Sequence, residues 1–255
     1  MTTAATALPL LSLRITAGPV ELRGVTDDLL GPLAELATDI HDPEFMPFGF
    51  PWSLTPAAEM PLSLAQYHWG RRSAFSPAKW NADFAVFYAG ELVGSQGFLS
   101  EDYLVKRGGE TGSWLSRRFQ GRGIGTAMRQ VICAFLFDHL DARYITSSAF
   151  TDNPASLAVS RKVGYTDNGD EHFNRLGKHA VMHRVILKPA NLVRYRHDLT
   201  VDGLPAFRGS IGLDAEPPAR AGSQEERQEL SRTGPGSTRS AAQPLLRKMR
   251  VPARS

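Results

Sequence analysis

The chain carries a single cysteine, Cys133, so it can build neither an internal disulfide nor a cysteine-rich zinc site; its setting, VICAFLF, reads as a small hydrophobe in a core. No run of about 18 uninterrupted apolar residues is present, which argues against a helical membrane span, and the opening MTTAATALPLLSL lacks the basic region of a secretory signal. The cytoplasm is therefore the expected compartment, with no membrane partner. The seven histidines never fall into H-E-x-x-H or a comparable ligand spacing, so no metal is expected. Two phosphate loops are missing as well: no glycine is followed by Lys-Ser or Lys-Thr, and no G-x-G-x-x-G fingerprint occurs.

Acidic residues are scarce in one region. Residues 216–255 hold eight of the 29 Lys and Arg but only four of the 26 Asp and Glu, so the formal net charge of +3 arises there and the remainder is close to neutral. The same stretch has five prolines, five serines and no aromatic residue, and can bury little. Residues 214–255 are thus expected to form a disordered basic tail and residues 1–12 a flexible N-terminus, with one domain over 13–213. Without aromatic interleaving or a dense basic run, the tail gives no reason to expect a nucleic-acid partner.

What is present reads as alternating strands and helices. LRITAGPVELR is a short extended segment interrupted by Gly18 and Pro19, and TDDLLGPLAELATDIH has a capping residue and helical spacing. DPEFMPFGFPWSLTP is too rich in proline for a regular element and too rich in Phe45, Met46, Phe48, Phe50 and Trp52 to stay wet. It should pack down as a wall, either lining a pocket or closing the core. A helix over 61–75 is followed by ADFAVFYAGELVGSQGFLS, a hairpin turning at Ala89 and Gly90, and by a strand around Trp114 and Leu115. A helix from about Ile124 to Leu140 shows Met128, Ile132, Phe135 and Leu136 on one face. Then come a strand ARYITSSAF, a helix NPASLAVSRKVG capped by Asn153, and a strand HAVMHRVIL. RYRHDLTVDGLPAF either adds a strand or drapes over the surface. The sum is a mixed sheet flanked by helices.

Between strand and helix lies SRRFQGRGIGTAMRQV, with glycines at 121, 123 and 125. Free N–H groups at a helix start form a concavity suited to phosphate, and Arg117, Arg118 and Arg122 add cations nearby. The alternative is a glycine turn that only joins two elements.

The context decides between them. GSWLSRRFQGRGIGTAM carries a Gln/Arg-x-x-Gly-x-Gly/Ala pattern as Gln120, Gly123 and Gly125, and FTDNPASLAVSRKVGY supplies an Asn, a Ser and a closing Lys-x-Gly-Tyr. Together they resemble the GNAT superfamily of N-acyltransferases, which bind acyl-coenzyme A. The Trp-Leu before the loop and the Asn-x-x-Ser of Asn153 to Ser156 are similar to its ribosomal-protein N-terminal acetyltransferase branch. HDPEFMPFGFPW and VDGLP are similar to an actinobacterial, mycobacterial succinyltransferase subgroup. The resemblance spans residues 13 to about 213 and implies an α/β (α+β) GNAT fold: a mixed, mostly antiparallel central sheet flanked by helices, with a splay between two central strands.

It also implies roles. Trp114, Leu115, Gln120, Gly121, Arg122, Gly123, Ile124, Gly125 and Thr126 would hold the coenzyme, with the diphosphate on the amides. Asn153 and Ser156 would hold its pantetheine arm, which runs between the strands at 113–116 and 146–149. An acetyl or succinyl group would pass to an amine by direct attack in a ternary complex, the acceptor being a small molecule, a protein N-terminus or a lysine. Family members often place an acidic tyrosine where Ser160 stands here, so Ser160, Ser156, or solvent and the coenzyme itself must protonate the thiolate. Glu110 is a candidate base or a solvated strand-edge carboxylate. His41, Phe48, Trp52 and Asp102 are candidates for the substrate pocket, and His41 or Arg71 for meeting a succinyl carboxylate. The missing tyrosine also admits another function, a degenerate acyl-coenzyme A sensor or scaffold. Either form is compatible with a homodimer or higher homo-oligomer.

Overall fold

Ala89 and Gly90 both adopt positive φ, 51° and 85°, the conformation of a tight hairpin turn. They join β3 (Lys79–Tyr88) to β4 (Glu91–Glu101), the longest antiparallel pair. This hairpin is the centre of the computed structural model, which describes residues 4–214; the expectation for 215–255 lies outside the described residues. Before the hairpin come α1 (Ala4–Ala7), β1 (Arg14–Ala17), β2 (Val20–Gly24), α2 (Asp27–Ala37) and α3 (Met60–Ser73). After it come α4 (Tyr103–Lys106), β5 (Gly108–Leu115), α5 (Ile124–His139), β6 (Tyr144–Phe150) and α6 (Pro154–Val163), then β7 (Thr166–Arg175), β8 (Lys178–Leu187), β9 (Thr200–Asp202) and α7 (Leu204–Ser210). Among the described residues the strands form one sheet in the order β7-β8-β6-β5-β4-β3-β2-β1-β9.

Period-two alternation sorts the strand side chains onto two faces. Phe84, Val86 and Phe98 face α5, while Ala85 and Phe87 face α2 and α3. The apolar stripe expected on α5 is only part of what that helix buries. Ile124, Ala127, Val131, Cys133 and Ala134 are buried too, and so are Arg129 and Gln130. A helix covered on nearly every side is a core element rather than an amphipathic cover.

All adjacent strands run antiparallel except β5 and β6, and that pair separates early. Its parallel register covers only Gly108↔Tyr144, Gly109↔Ile145 and Glu110↔Thr146. Beyond it β5 stays on β4 as far as Leu115, and β6 stays on β8 as far as Phe150. The sheet is therefore mixed, mostly antiparallel and splayed between two central strands, as the resemblance implied. Side chains close the crotch of the splay: Thr111 Oγ1 donates to Thr146 O (3.2 Å) and Ser147 Oγ to Thr111 O (3.0 Å). Just beyond, the Arg129 guanidinium comes in from α5. Its Nη2 donates to Ser113 Oγ on β5 (2.7 Å), its Nη1 to Ser147 Oγ on β6 (3.0 Å), and its Nε to Gln96 Oε1 on β4 (3.3 Å). Only 4% of Arg129 is exposed, and none of its partners is a carboxylate.

Three parts of the chain add to the sequence reading. The interrupted segment at 13–23 is a true hairpin, β1–β2, because Gly18 takes φ 54°. Near the N-terminus, Pro9–Ser12 form a 3-10 turn that buries Leu10. An entire strand, β7, leaves no mark in the sequence pattern, since TDNGDEHFNR has no apolar alternation; it is an edge strand that pairs with β8 through its backbone and stays exposed.

Arg129→Ala should leave Ser113 and Gln96 without their donor and open a void between three strands. The expected loss is about 2–4 kcal/mol in urea unfolding. Arg129→Lys should recover only part of it, because one ammonium cannot reproduce a guanidinium fork across the gap.

Candidate active site

The glycine turn sits where β5 ends. A 3-10 turn, Arg117–Phe119, leads to Gln120, and α5 begins at Ile124 behind Gly123. Gly121 (φ 71°) and Gly123 (φ 81°) need the left-handed region, whereas Gly125 lies inside the helix. From Gly121 to Thr126 no N–H makes a backbone hydrogen bond to a described residue; the first to do so is that of Ala127, on Gly123 O. Six successive donors thus lie at the positive end of a 16-residue helix. A Cβ on Gly121 or Gly123 would meet nothing within 4 Å, so the space before the turn is open. Arg122 is exposed beside it.

Gln120 does not point into this space. Its Nε2 donates to Leu115 O and to Ile40 O, both at 2.8 Å. Arg117 adds two bonds to the same neighbour, from its N–H to Asp39 O (2.8 Å) and from Nη1 to Asp42 Oδ1 (2.7 Å). The segment 39–42 that opens the aromatic loop is thereby fastened to the glycine turn. Asn153 caps α6, its Oδ1 accepting from Ser156 N at 3.1 Å, which leaves its amide N–H groups free. Ser160 is buried on α6. Tyr165 is buried too, its hydroxyl 3.0 Å from Thr111 Oγ1 and 3.4 Å from Cys133 Sγ; burial raises its pKa, so it stays protonated.

On the other sheet face a cavity of about 180 Å³ lies between the strands, α3 and the aromatic loop. Phe48, Phe50 and Trp52 do line it, and Trp52 rests 6.0 Å from Trp114 on β5. Ser113 is at its splay end. Three titratable groups unmarked by the sequence reading complete it: Tyr67 and His68 from α3, and Asp83 from β3. Burial pushes Tyr67 up to about 12, with the Asp83 charge adding to it. Burial, reinforced by Arg72 and Arg71, holds His68 down at about 4. Asp83 is raised to about 6 by burial, against the pull of Arg71.

Other expected pocket residues lie elsewhere. His41 does not line the cavity: its Nδ1 is 2.8 Å from Asp42 O and its Nε2 2.7 Å from Ser53 Oγ, so it clasps the loop from behind. Asp102 is at the far end of β4, away from the splay, and pairs with Lys106 at 3.3 Å. Arg71 stacks over Tyr67 at 5.1 Å. Glu110 is close to the expected place, on the last paired row of the splay, where its Oε1 accepts from Ser148 Oγ at 2.8 Å. Among the described residues no group of three His, Cys, Asp or Glu could hold a metal ion, and no helix is long and apolar enough to cross a membrane.

His68 and Asp83 make opposite contributions to stability in acid. As pH falls from 6.5 to 4 the unfolded chain protonates at His68 before the folded one does, and stability is lost. As it falls from about 6 to 3.8 the folded chain protonates first at Asp83, and stability is gained. Asp83→Asn should therefore show a steeper acid loss than the wild type in urea midpoints measured across this window, and no loss at pH 7.

Comparison with known proteins agrees with this geometry. A family model described as acetyltransferase (GNAT) domain matches residues 20–166, more than half of the chain. A Bacillus subtilis (strain 168) protein named "Putative ribosomal N-acetyltransferase YdaF" is 30% identical over 84 residues, 33% of this chain and 45% of its own, so the match spans less than half of that relative. Among solved structures, RimL, a ribosomal L7/L12 alpha-N-protein acetyltransferase in complex with coenzyme A, aligns with a TM-score of 0.55 at 20% identity, over 68% of this chain and 95% of its own. Mycobacterium smegmatis RimJ in complex with CoA-disulfide gives 0.53 at 20%, over 71% and 88%. At such identities these two speak for the fold alone. With the splayed sheet, the open glycine turn and the family match in one place, the chain belongs to the acetyltransferase (GNAT) domain family.

Proposed function

We propose that this protein is an N-acyltransferase that moves an acyl group from acyl-coenzyme A to a primary amine by direct attack in a ternary complex. The observation that carries the reading is the row of unbonded amides from Gly121 to Thr126, set at the mouth of a splay whose other side opens on a cavity. The amides receive the diphosphate. The pantetheine enters between β5 and β6, where strand edges past Glu110 and Thr146 have lost their mutual partners and Asn153 still has N–H groups to offer. The thioester then lies near Ser113 and Trp114, at the end of the cavity. A coenzyme thiolate with a thiol pKa of about 8.5 leaves readily and can take its proton from solvent, so a serine in place of the tyrosine is no barrier to turnover.

Features of the cavity favour acetyl over succinyl as donor. Neither cation considered for the succinyl carboxylate lines the cavity: both ring nitrogens of His41 are engaged in the loop, and Arg71 is stacked over the Tyr67 ring. Arg129, the cation in the splay, is buried and spends its fork on three neutral acceptors. Localisation in the cytoplasm and small amines or protein N-termini as acceptors remain part of the same proposal, supported by the branch it resembles.

Thiol release from acetyl-coenzyme A over a panel of amines should exceed release from succinyl-coenzyme A; background release from both would leave the sensor reading. Gly123→Asp tests the cradle. Aspartate is among the side chains that best tolerate the left-handed backbone and suits a helix N-terminus, so the strain should cost no more than about 1–2 kcal/mol and leave the chain folded. Its charge repels a diphosphate, and calorimetric affinity for coenzyme A should fall by about tenfold or more. Unchanged affinity would sink the assignment.

A further inference from the structure

Asp83 stands out because nothing in the fold answers its charge. It lies on β3 in ADFAVF, facing the cavity side, and its carboxylate makes no hydrogen bond or ion pair with any described residue. The titratable groups around it all come from α3. Arg71 supplies a distant attraction, Tyr67 and His68 stay neutral near pH 7, and Arg72 is committed to Asp27 (2.5 Å) and Val25 O (2.8 Å). A recessed carboxylate without a partner is costly and is kept where a ligand completes it.

The sheet register shows where that ligand belongs. Across the hairpin Asp83 pairs with Gly97, and Gly97 pairs with Gly112 on β5. A Cβ on Gly97 would stand 2.8 Å from Asp83 Oδ1, so the carboxylate leans over that glycine toward the splay. A Cβ on Gly112 would meet nothing within 4 Å. Two glycines thus clear a slot on the sheet surface from Asp83 to the edge where β5 and β6 part. Any side chain at either position would stand between the acid and the thioester.

From this geometry we infer that Asp83 receives the acceptor's ammonium group, and that the acceptor is a primary amine on a compact apolar body held by Phe48, Trp52 and Trp114. A cavity of about 150 Å³ admits benzene, so the 180 Å³ here has room for a ring-sized body with a short arm. The fate of the amine rests on the N-acyltransferase reading; its binding does not. In the reaction the ammonium gives one proton to Asp83, and the freed lone pair forms the C–N bond at the thioester carbonyl. The C–S pair leaves with the coenzyme sulfur, which takes the second N–H proton through water, and Asp83 returns its own proton to solvent. A carboxylate held at about 6 accepts that first proton more readily than an ordinary aspartate. Glu110 is the rival on the same face, but its Oε1 is engaged with Ser148.

The experiment titrates 2-phenylethylamine into the full-length chain without coenzyme, reading tryptophan fluorescence, with neutral 2-phenylethanol in parallel. The wild type should bind the amine saturably. Asp83→Asn should weaken it by about tenfold or more, the worth of a charge-assisted bond, while leaving the alcohol unchanged and so reporting an intact cavity. Equal amine affinity in Asp83→Asn, or no saturable binding to the wild type, overturns the inference; loss in Glu110→Gln instead moves the role to Glu110. With acetyl-coenzyme A added, thiol release should rise with pH through about 6 and lose that inflection in Asp83→Asn. Asp83-dependent binding with no thiol release would uphold the site and refute the acyltransferase function.

Discussion

A sheet that forks in its middle must hold two strands apart where hydrogen bonding would draw them together. Here a single guanidinium does so. Arg129 reaches from α5 to β4, β5 and β6 at once, and its planar fork sets a fixed spacing between Ser113 and Ser147. Apolar side chains could fill the same volume, but they would not fix the angle between the strands, because dispersion is not directional. The cost is a buried cation with no counter-ion, met by three oriented oxygens rather than by a carboxylate. Beyond this strut the facing edges of β5 and β6 keep their backbone groups available.

The strut also explains why α5 is buried almost all round. It must carry Arg129 into the sheet and at the same time leave the N–H groups of its first turn unbonded at the glycine loop. One helix thereby relates two functions that lie at its successive turns, the unbonded amides and the wedge. Packing of Ile132, Phe135 and Leu136 into the core gives it the rigidity that such an arrangement needs.

The parts of this architecture that declare themselves in sequence are those set by local rules. The turn at Ala89–Gly90, the Asn153 cap and the glycines at 121 and 123 each reflect a backbone requirement within a few residues, and the structure has them where spacing placed them. β7 was illegible because an edge strand wet on both faces needs no apolar alternation; its partners are backbone groups and its charged residues blunt the sheet edge. Asp102 looked suitable by charge and loop position, but which end of a hairpin faces the site is decided by long-range topology. Asp83 carries a signal in the sequence, a lone acid on the strand face that otherwise carries Ala85 and Phe87. Its meaning depends on glycines 14 and 29 positions away coming into register beside it.

The fastening of residues 39–42 to the glycine turn has a mechanical consequence. Gln120 and Arg117 bind Ile40, Asp39 and Asp42, and the chain continues from Asp42 directly into the aromatic loop that walls the cavity. The glycine turn and the wall of the cavity therefore share one fastening. A displacement of the glycine turn would reach Phe48 and Trp52 through a bracket only a few residues long.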